Sequence, residues 1–62
     1  MARYRVGIQT RDKILDSTRW LLARVGLEGT TLSAILDRAK VRSGSFYNLF
    51  DSKDEAVLTV VR

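Results

Sequence analysis

Residues 40–50 read Lys40-Val41-Arg42-Ser43-Gly44-Ser45-Phe46-Tyr47-Asn48-Leu49-Phe50. From about residue 43 this stretch predicts one short helix, and it supplies two cations, small hydroxyls and a Tyr-Asn pair. Proteins use such groups to hold a phosphate backbone and to reach the edges of bases. A compact amphipathic pattern over residues 32–39 ends just before the stretch. Helix, tight turn and second helix, at about residues 31–50, predict a helix-turn-helix that binds DNA.

The segment before residue 30 predicts a longer helix. From residue 14 onward, apolar or small residues recur at steps of three and four, which places one stripe of a helix inward. The stripe consists of Ile14, Ser17, Thr18, Leu21, Leu22 and Val25. Thr10 is suited to cap this helix and Gly26 to close it in a left-handed conformation, so it is predicted to span about residues 11–25. Trp20 falls off the stripe, and a single exposed Trp is ordinary. A contact with a domain outside this chain is the alternative.

Two capping signals predict the second and fourth helices. Thr31 can cap a helix whose inward residues are Leu32, Ile35, Leu36 and Ala39. Residues 52–55 have the S-x-x-E form of a capping box and open a fourth helix with the apolar residues Val57, Leu58 and Val61. The expected fold class is all-α: a three-helix homeodomain-like bundle with a helix-turn-helix, plus the start of a fourth helix. Because that helix reaches Arg62 without a cap, we expect the chain to be a piece of a longer protein.

The composition narrows the possible functions. With 62 residues the chain forms one small domain, and it contains no Cys and no His. Disulfides, thiolate metal sites and the commonest general base are therefore excluded, and we expect no enzyme activity, cofactor or metal. Eleven Lys and Arg against seven Asp and Glu give a net charge of +4, which favours a polyanionic partner. No apolar run approaches the roughly 18 residues of a membrane span, and no export signal is visible. Since the lack of Cys fits a reducing compartment, we expect a cytoplasmic protein.

The basic residues leave alternatives open. Residues 1–9 show no period and are predicted to form a flexible basic arm, with Arg3 and Arg5 spaced to enter an A·T-rich minor groove. Disorder in the absence of DNA is the alternative for this arm. For the whole domain, the alternative is a small helical protein-interaction module whose basic face binds an acidic protein.

Several groups of residues carry a resemblance to a known family. Up to the second helix they are Thr10-Arg11-Asp12-Lys13-Ile14-Leu15-Asp16, Gly26 and Glu28-Gly29-Thr30-Thr31-Leu32. Beyond it they are Ile35, Ala39, Val41, Gly44-Ser45-Phe46-Tyr47, Phe50 and Ser52-Lys53. Residues 10–62 together resemble the N-terminal DNA-binding domain of the TetR family of bacterial transcriptional regulators. The Gly-Ser-aromatic-Tyr-x-x-Phe-x-Ser-Lys pattern is the specific part of the likeness.

The resemblance has implications for the whole protein. It implies that the second and third helices form the reader, with the third helix in the major groove of double-stranded DNA. It also implies a homodimeric repressor that binds a palindromic operator. A larger C-terminal ligand-binding domain, absent from this chain, is expected to dimerise and to bind a small-molecule inducer.

The resemblance also implies roles for individual residues of the third helix. Ser43, Gly44 and Ser45 are expected to face the groove, where short hydroxyls discriminate weakly and Gly44 lets the backbone approach DNA. Tyr47 is expected to contact a phosphate, and Asn48 a phosphate or a base. The alternative for Tyr47 is a half-buried core ring.

Flanking contacts are expected from residues at helix starts. Thr31 and Lys53 begin the second and fourth helices, where backbone N–H groups and the helix dipole favour a phosphate. A freely solvated side chain is the alternative for Lys53. Arg42 replaces the usual Ser or Thr cap of the reading helix and is a candidate for a phosphate or guanine contact. This leaves open whether Ser43 takes over the capping or touches a base.

Two further positions depart from the family pattern. Lys40 stands where the family usually has glycine. If the turn needs a left-handed residue there, a side chain with a Cβ costs roughly 1–2 kcal/mol. A turn of different shape is the alternative. Asp51 lies close to the expected DNA backbone, where its better use is favouring the start of the fourth helix.

Overall fold

The computed structural model describes the backbone of residues 2–62 and the side chains of residues 9–62. It contains four helices and, within these residues, no strand. The helices are α1 (Ala2–Gly29), α2 (Leu32–Ala39), α3 (Ser43–Leu49) and α4 (Lys53–Val61). None of the helices in the described part combines the length and apolarity needed to cross a membrane. The predicted all-α fold is confirmed, with α1 to α3 as the bundle that contains the helix-turn-helix and α4 as the fourth helix.

Helix α1 begins earlier than predicted. Its first residue is Ala2 and not Arg11, so Thr10 lies inside the helix and is not its N-cap. The prediction was wrong because the missing apolar period before residue 10 shows only that this segment has no packing face. It does not show that the backbone is non-helical. Residues 2–9 contain no proline that would stop a helix. The flexibility predicted for residues 1–9 stays a prediction.

The first helical run ends at Gly26, as predicted, but with a different backbone conformation. Gly26 has φ 74° and ψ −178°, a region open essentially to glycine alone, rather than the left-handed helical conformation. The chain then makes one more turn, which Thr30 closes. The Thr30 N–H donates to the Leu27 carbonyl at 3.2 Å, and the buried Thr30 hydroxyl donates to the Gly26 carbonyl at 2.7 Å. This corner sets the direction in which α2 begins.

Helix α1 is the centre of the core and contacts each of the other three helices. The core cluster consists of Ile14, Leu15 and Leu21 from α1, Ile35 and Ala39 from α2, Phe46 and Phe50 from α3 and its end, and Ala56 from α4. The inward stripe predicted for the first helix is confirmed except at Val25, which is 51% exposed beside the kink. Because α2 and α3 both contribute to the cluster, the core holds the two helices of the helix-turn-helix.

Helix α4 buries only one of the three apolar residues that the sequence indicated for it, Val57. Its buried residues are Ala56 and Val57, whereas Leu58 and Val61 are 52% and 62% exposed. At about 100° per residue, Leu58 lies roughly opposite the arc formed by Ala56, Val57 and the half-buried Val60. The apolar residues alone did not show which side of this helix packs on α1.

Candidate nucleic-acid interface

The helix-turn-helix starts at Thr31, which caps α2 as predicted. Thr31 has the extended backbone of an N-cap, and its hydroxyl accepts a hydrogen bond from the Ala34 N–H at 3.1 Å. The residue itself is exposed. The other N–H groups at the start of a helix have no partner within it, so the beginning of α2 presents donors to its surroundings.

The turn between α2 and α3 uses a left-handed residue, and Lys40 occupies that position. Lys40 has φ 58° and ψ 45°, and the Val41 N–H donates to the Leu36 carbonyl at 3.1 Å. Glycine is the usual residue at a helix end closed in this way. The turn therefore has the shape that favours glycine, and the Cβ of Lys40 costs about 1–2 kcal/mol there.

Replacing Lys40 with glycine is expected to raise the free energy of unfolding by up to about 1 kcal/mol. Relief of the left-handed strain exceeds the extra backbone entropy of glycine in the unfolded chain, which is about 0.5–1 kcal/mol. Urea denaturation of both proteins measures the difference. Lys40→Ala keeps the Cβ and serves as the control, with an expected change within about 0.5 kcal/mol. A glycine variant less stable than the alanine variant would contradict the argument.

Arg42, and not Ser43, is the N-cap of α3. Arg42 has extended backbone angles, φ −89° and ψ 157°, and its side chain makes no capping hydrogen bond. Ser43 is the first residue of the helix and is exposed. The alternative in which Ser43 takes over the capping is therefore wrong, because the residue already has helical geometry.

Helix α3 has one exposed side, which we call its outer face. The outer face consists of Ser43, Gly44, Ser45, Tyr47 and Asn48. On the other side Phe46 is fully buried and packs against Phe50, with ring centroids 5.4 Å apart. Tyr47 is 52% exposed and lies outside the core cluster, although its ring meets that of Phe46 at 87°. A Cβ on Gly44 would meet no atom within 4 Å, so packing does not require glycine there.

The start of α4 confirms one half of the predicted capping box. The Ser52 hydroxyl accepts a hydrogen bond from the Glu55 N–H at 3.3 Å. The Glu55 carboxylate, however, accepts from the Asp51 N–H at 3.4 Å, one residue earlier than a capping box requires. Lys53 is the first helical residue, and its ammonium lies 4.0 Å from the Asp54 carboxylate. Its side chain is 32% exposed, so it is only partly solvated.

A cationic cleft that the sequence did not predict lies between α1 and the end of α2. Trp20 is 38% exposed, and the guanidinium carbon of Arg38 lies 3.4 Å from its ring centroid. The guanidinium carbon of Arg24 is 4.8 Å from the same centroid. Lys13 and Lys40 line the cleft as well. The contact of Arg24 with Trp20 could be predicted from the sequence, because the two residues lie four apart on one helix. The contact of Arg38 could not, because it forms only when α2 packs on α1.

The remaining predicted site residues are distributed over the surface. The side chains of Arg3 and Arg5 lie outside the described residues, so their predicted contacts stay predictions. Thr31 and Lys53 lie at the starts of α2 and α4, and Arg42 lies directly before the outer face of α3. The structure thus places these three residues at the starts of α2, α3 and α4.

Comparison with known proteins identifies a family. Residues 14–60 match the family described as bacterial regulatory proteins, tetR family. The chain is 44% identical over 52 residues to an uncharacterized HTH-type transcriptional regulator in the lacX 3′ region of Lactococcus lactis subsp. lactis, a match that covers 84% of this chain and 26% of that protein.

Two further relatives are named as repressors. The chain is 42% identical over 52 residues to the HTH-type transcriptional repressor KstR2 of Rhodococcus jostii, covering 84% of this chain and 26% of the relative. It is 40% identical to the repressor of the same name from Mycolicibacterium smegmatis, covering 84% and 25%. The chain therefore spans about a quarter of the length of these relatives. No solved structure matches the chain significantly.

Proposed function

The chain belongs to the TetR family of bacterial regulatory proteins, as its match over residues 14–60 shows, and we propose that it is the sequence-specific DNA-binding domain of a transcriptional repressor. The outer face of α3 carries this proposal: exposed small and polar residues lie on a short helix that the buried Phe46 anchors. In a helix-turn-helix the second helix enters the major groove while the first crosses the backbone. Two relatives named as repressors support repression as the mode of control.

We assign base reading to three exposed residues of α3. Ser43 and Ser45 carry short hydroxyls that donate or accept at any base edge, so they discriminate weakly. Asn48 carries an amide that can pair with adenine through two hydrogen bonds. Gly44 lies between the two serines without a Cβ, so the backbone can approach the bases closely. Specificity in this scheme comes mainly from Asn48.

Four residues are proposed to hold phosphates on the two sides of the groove. Thr31 and Lys53 start α2 and α4, where N–H groups without helical partners and the positive end of the dipole favour an anion. Arg42 precedes the outer face of α3 and donates to a phosphate or to guanine. Tyr47, on the exposed side of α3, donates its hydroxyl. These contacts position the helix and carry little sequence information.

For the whole protein we propose a cytoplasmic homodimer that binds a palindromic operator. A two-fold dimer places its two recognition helices about one turn of DNA apart, so the operator has two related half-sites. A C-terminal domain is proposed to bind a small-molecule inducer and to release the operator. Arg3 and Arg5 are proposed to reach the adjacent minor groove. The greater length of the relatives named as repressors supports the existence of such a domain.

Selection of binding sites from a random pool of duplexes tests the proposal. With the full-length homodimer we expect enrichment of a palindrome with half-site centres about one helical turn apart, since each α3 fills one major groove. A parallel titration with polyglutamate tests the alternative, a module that binds an acidic protein. Enrichment of no sequence, combined with tight polyglutamate binding at physiological salt, would contradict the proposal.

Asn48→Ala is expected to relax the preference at a single base pair by about 1–3 kcal/mol. Lys53→Ala is the comparison. It is expected to weaken binding to all duplexes alike and to flatten the slope of log affinity against log salt by about 0.9. Binding titrations against duplexes that differ at one position measure both effects. Equal losses on every duplex for Asn48→Ala would refute its role as a base reader.

A further inference from the structure

The cationic cleft has no part in the contacts assigned above. It lies between α1 and the end of α2, where Lys13, Arg38 and Lys40 line a hollow beside Trp20. Among the described residues that line it, Asp16 is the one carboxylate, and it is paired with Arg19 at 3.0 Å. The cleft therefore presents positive charge that its own lining does not neutralise.

The guanidinium of Arg38 is held in place with its donors unused. It lies over the Trp20 ring at 3.4 Å and makes no hydrogen bond or ion pair with any residue whose side chain the structure describes. A guanidinium carries its N–H donors in its own plane, so stacking on a ring leaves them available at the rim. Its fork matches two oxygens of a phosphate, and the stack has already restricted the side chain.

Lys40 has a side chain at a position where the left-handed backbone favours glycine. It is the one residue other than glycine with a positive φ in the described part of the chain, at 58°. A residue held in an unfavourable conformation points to a use for its side chain. The use that the cleft offers is a second cation beside Arg38.

We infer that Arg38 and Lys40 grip one phosphate of the DNA backbone and that Trp20 positions Arg38 for this contact. The inference rests on the proposed DNA-binding function. Arg38 follows Thr31 by seven residues, about two helical turns, so both lie on nearly the same side of α2. Lys40, which ends α2, lies two residues before Arg42, the N-cap of α3. The contact thus extends the footprint of the helix-turn-helix along the backbone.

Titration of the chain with a random-sequence duplex over a series of salt concentrations tests the inference, because phosphate contacts do not depend on sequence. The double variant Arg38→Gln, Lys40→Gly removes both cations. Glutamine keeps the helix propensity of arginine, and glycine relieves the left-handed backbone, so the fold is expected to persist, which thermal unfolding verifies. Arg62→Gln is the control for loss of a cation outside the cleft, since it removes one at the last residue of the chain.

The double variant is expected to flatten the slope of log affinity against log salt by about 0.9 and to bind about five- to ten-fold more weakly at about 0.1 M salt. The control is expected to keep the wild-type slope. A double variant with a slope no flatter than that of the control overturns the inference alone. A wild-type chain without salt-dependent affinity for the duplex overturns the DNA-binding function and the inference with it.

The positioning role of Trp20 has its own readout. Trp20→Leu keeps every charge of the cleft but removes the ring, and it is expected to weaken duplex binding about two- to five-fold through loss of the cation–π contact. Trp20→Phe restores a ring and is expected to recover most of the affinity. Equal affinities for the leucine and phenylalanine variants overturn this role.

Discussion

Phe46→Ala is expected to remove most of the stability of the domain. Phe46 is fully buried, and its ring packs on Phe50 with centroids 5.4 Å apart. Truncation of a buried phenylalanine costs about 3–5 kcal/mol. A domain of 62 residues has a total stability of only about 3–9 kcal/mol. Since Phe46 is the buried residue of α3, its loss also releases the outer face from the bundle.

Thermal unfolding followed by far-UV circular dichroism measures this effect. Leu58→Ala is the control, because it truncates another large apolar residue that is 52% exposed on α4. Its free energy of unfolding is expected to change by no more than about 0.5 kcal/mol. A Phe46→Ala protein that unfolds cooperatively near the wild-type temperature would contradict the central place of this ring in the core.

Gly26→Ala is expected to lower the free energy of unfolding by about 1–3 kcal/mol. Gly26 has φ 74° and ψ −178°, a conformation that residues with a Cβ avoid. The added methyl would meet no atom within 4 Å, so the loss comes from the backbone and not from a clash. Urea denaturation of the variant and the wild type gives the difference.

Gly44→Ala is the matched control for this change. Gly44 lies inside α3, and a Cβ there also meets no atom within 4 Å. Alanine is the better helix former, so the variant is expected to be up to about 1 kcal/mol more stable than the wild type. Its affinity for DNA should nevertheless fall, because the methyl separates the backbone from the bases. Equal effects of the two substitutions on stability would show that the backbone argument for Gly26 is wrong.

The features of the fold that could be predicted from the sequence are held by local interactions. Thr31 and Ser52 cap their helices as expected, because a hydroxyl needs only an N–H three residues further on. The sequence left the shape of the turn at Lys40 open, and the structure has the left-handed alternative. The outward position of Tyr47 follows from the spacing of Phe46 and Phe50, which the core buries.

The features that the sequence did not predict depend on residues far apart in the chain or produce no periodic pattern of apolar residues. The early start of α1 at Ala2 produces no apolar period. The inward face of α4 is decided by packing on α1, which buries Ala56 and leaves Leu58 exposed. The stack of Arg38 on Trp20 joins two helices and has no local signature. Contacts with DNA bases require the partner itself and stay predictions.

The central claim is that the outer face of α3 binds DNA. Backbone amide NMR of the chain, titrated with the duplex recovered by site selection, measures this most directly. We predict that the largest chemical-shift changes fall in residues 43–48, with further changes at Thr31 and Lys53, while residues 58–62 at the end of α4 stay nearly unchanged. Changes confined to the end of α4, with residues 43–48 unaffected at saturation, would contradict the account.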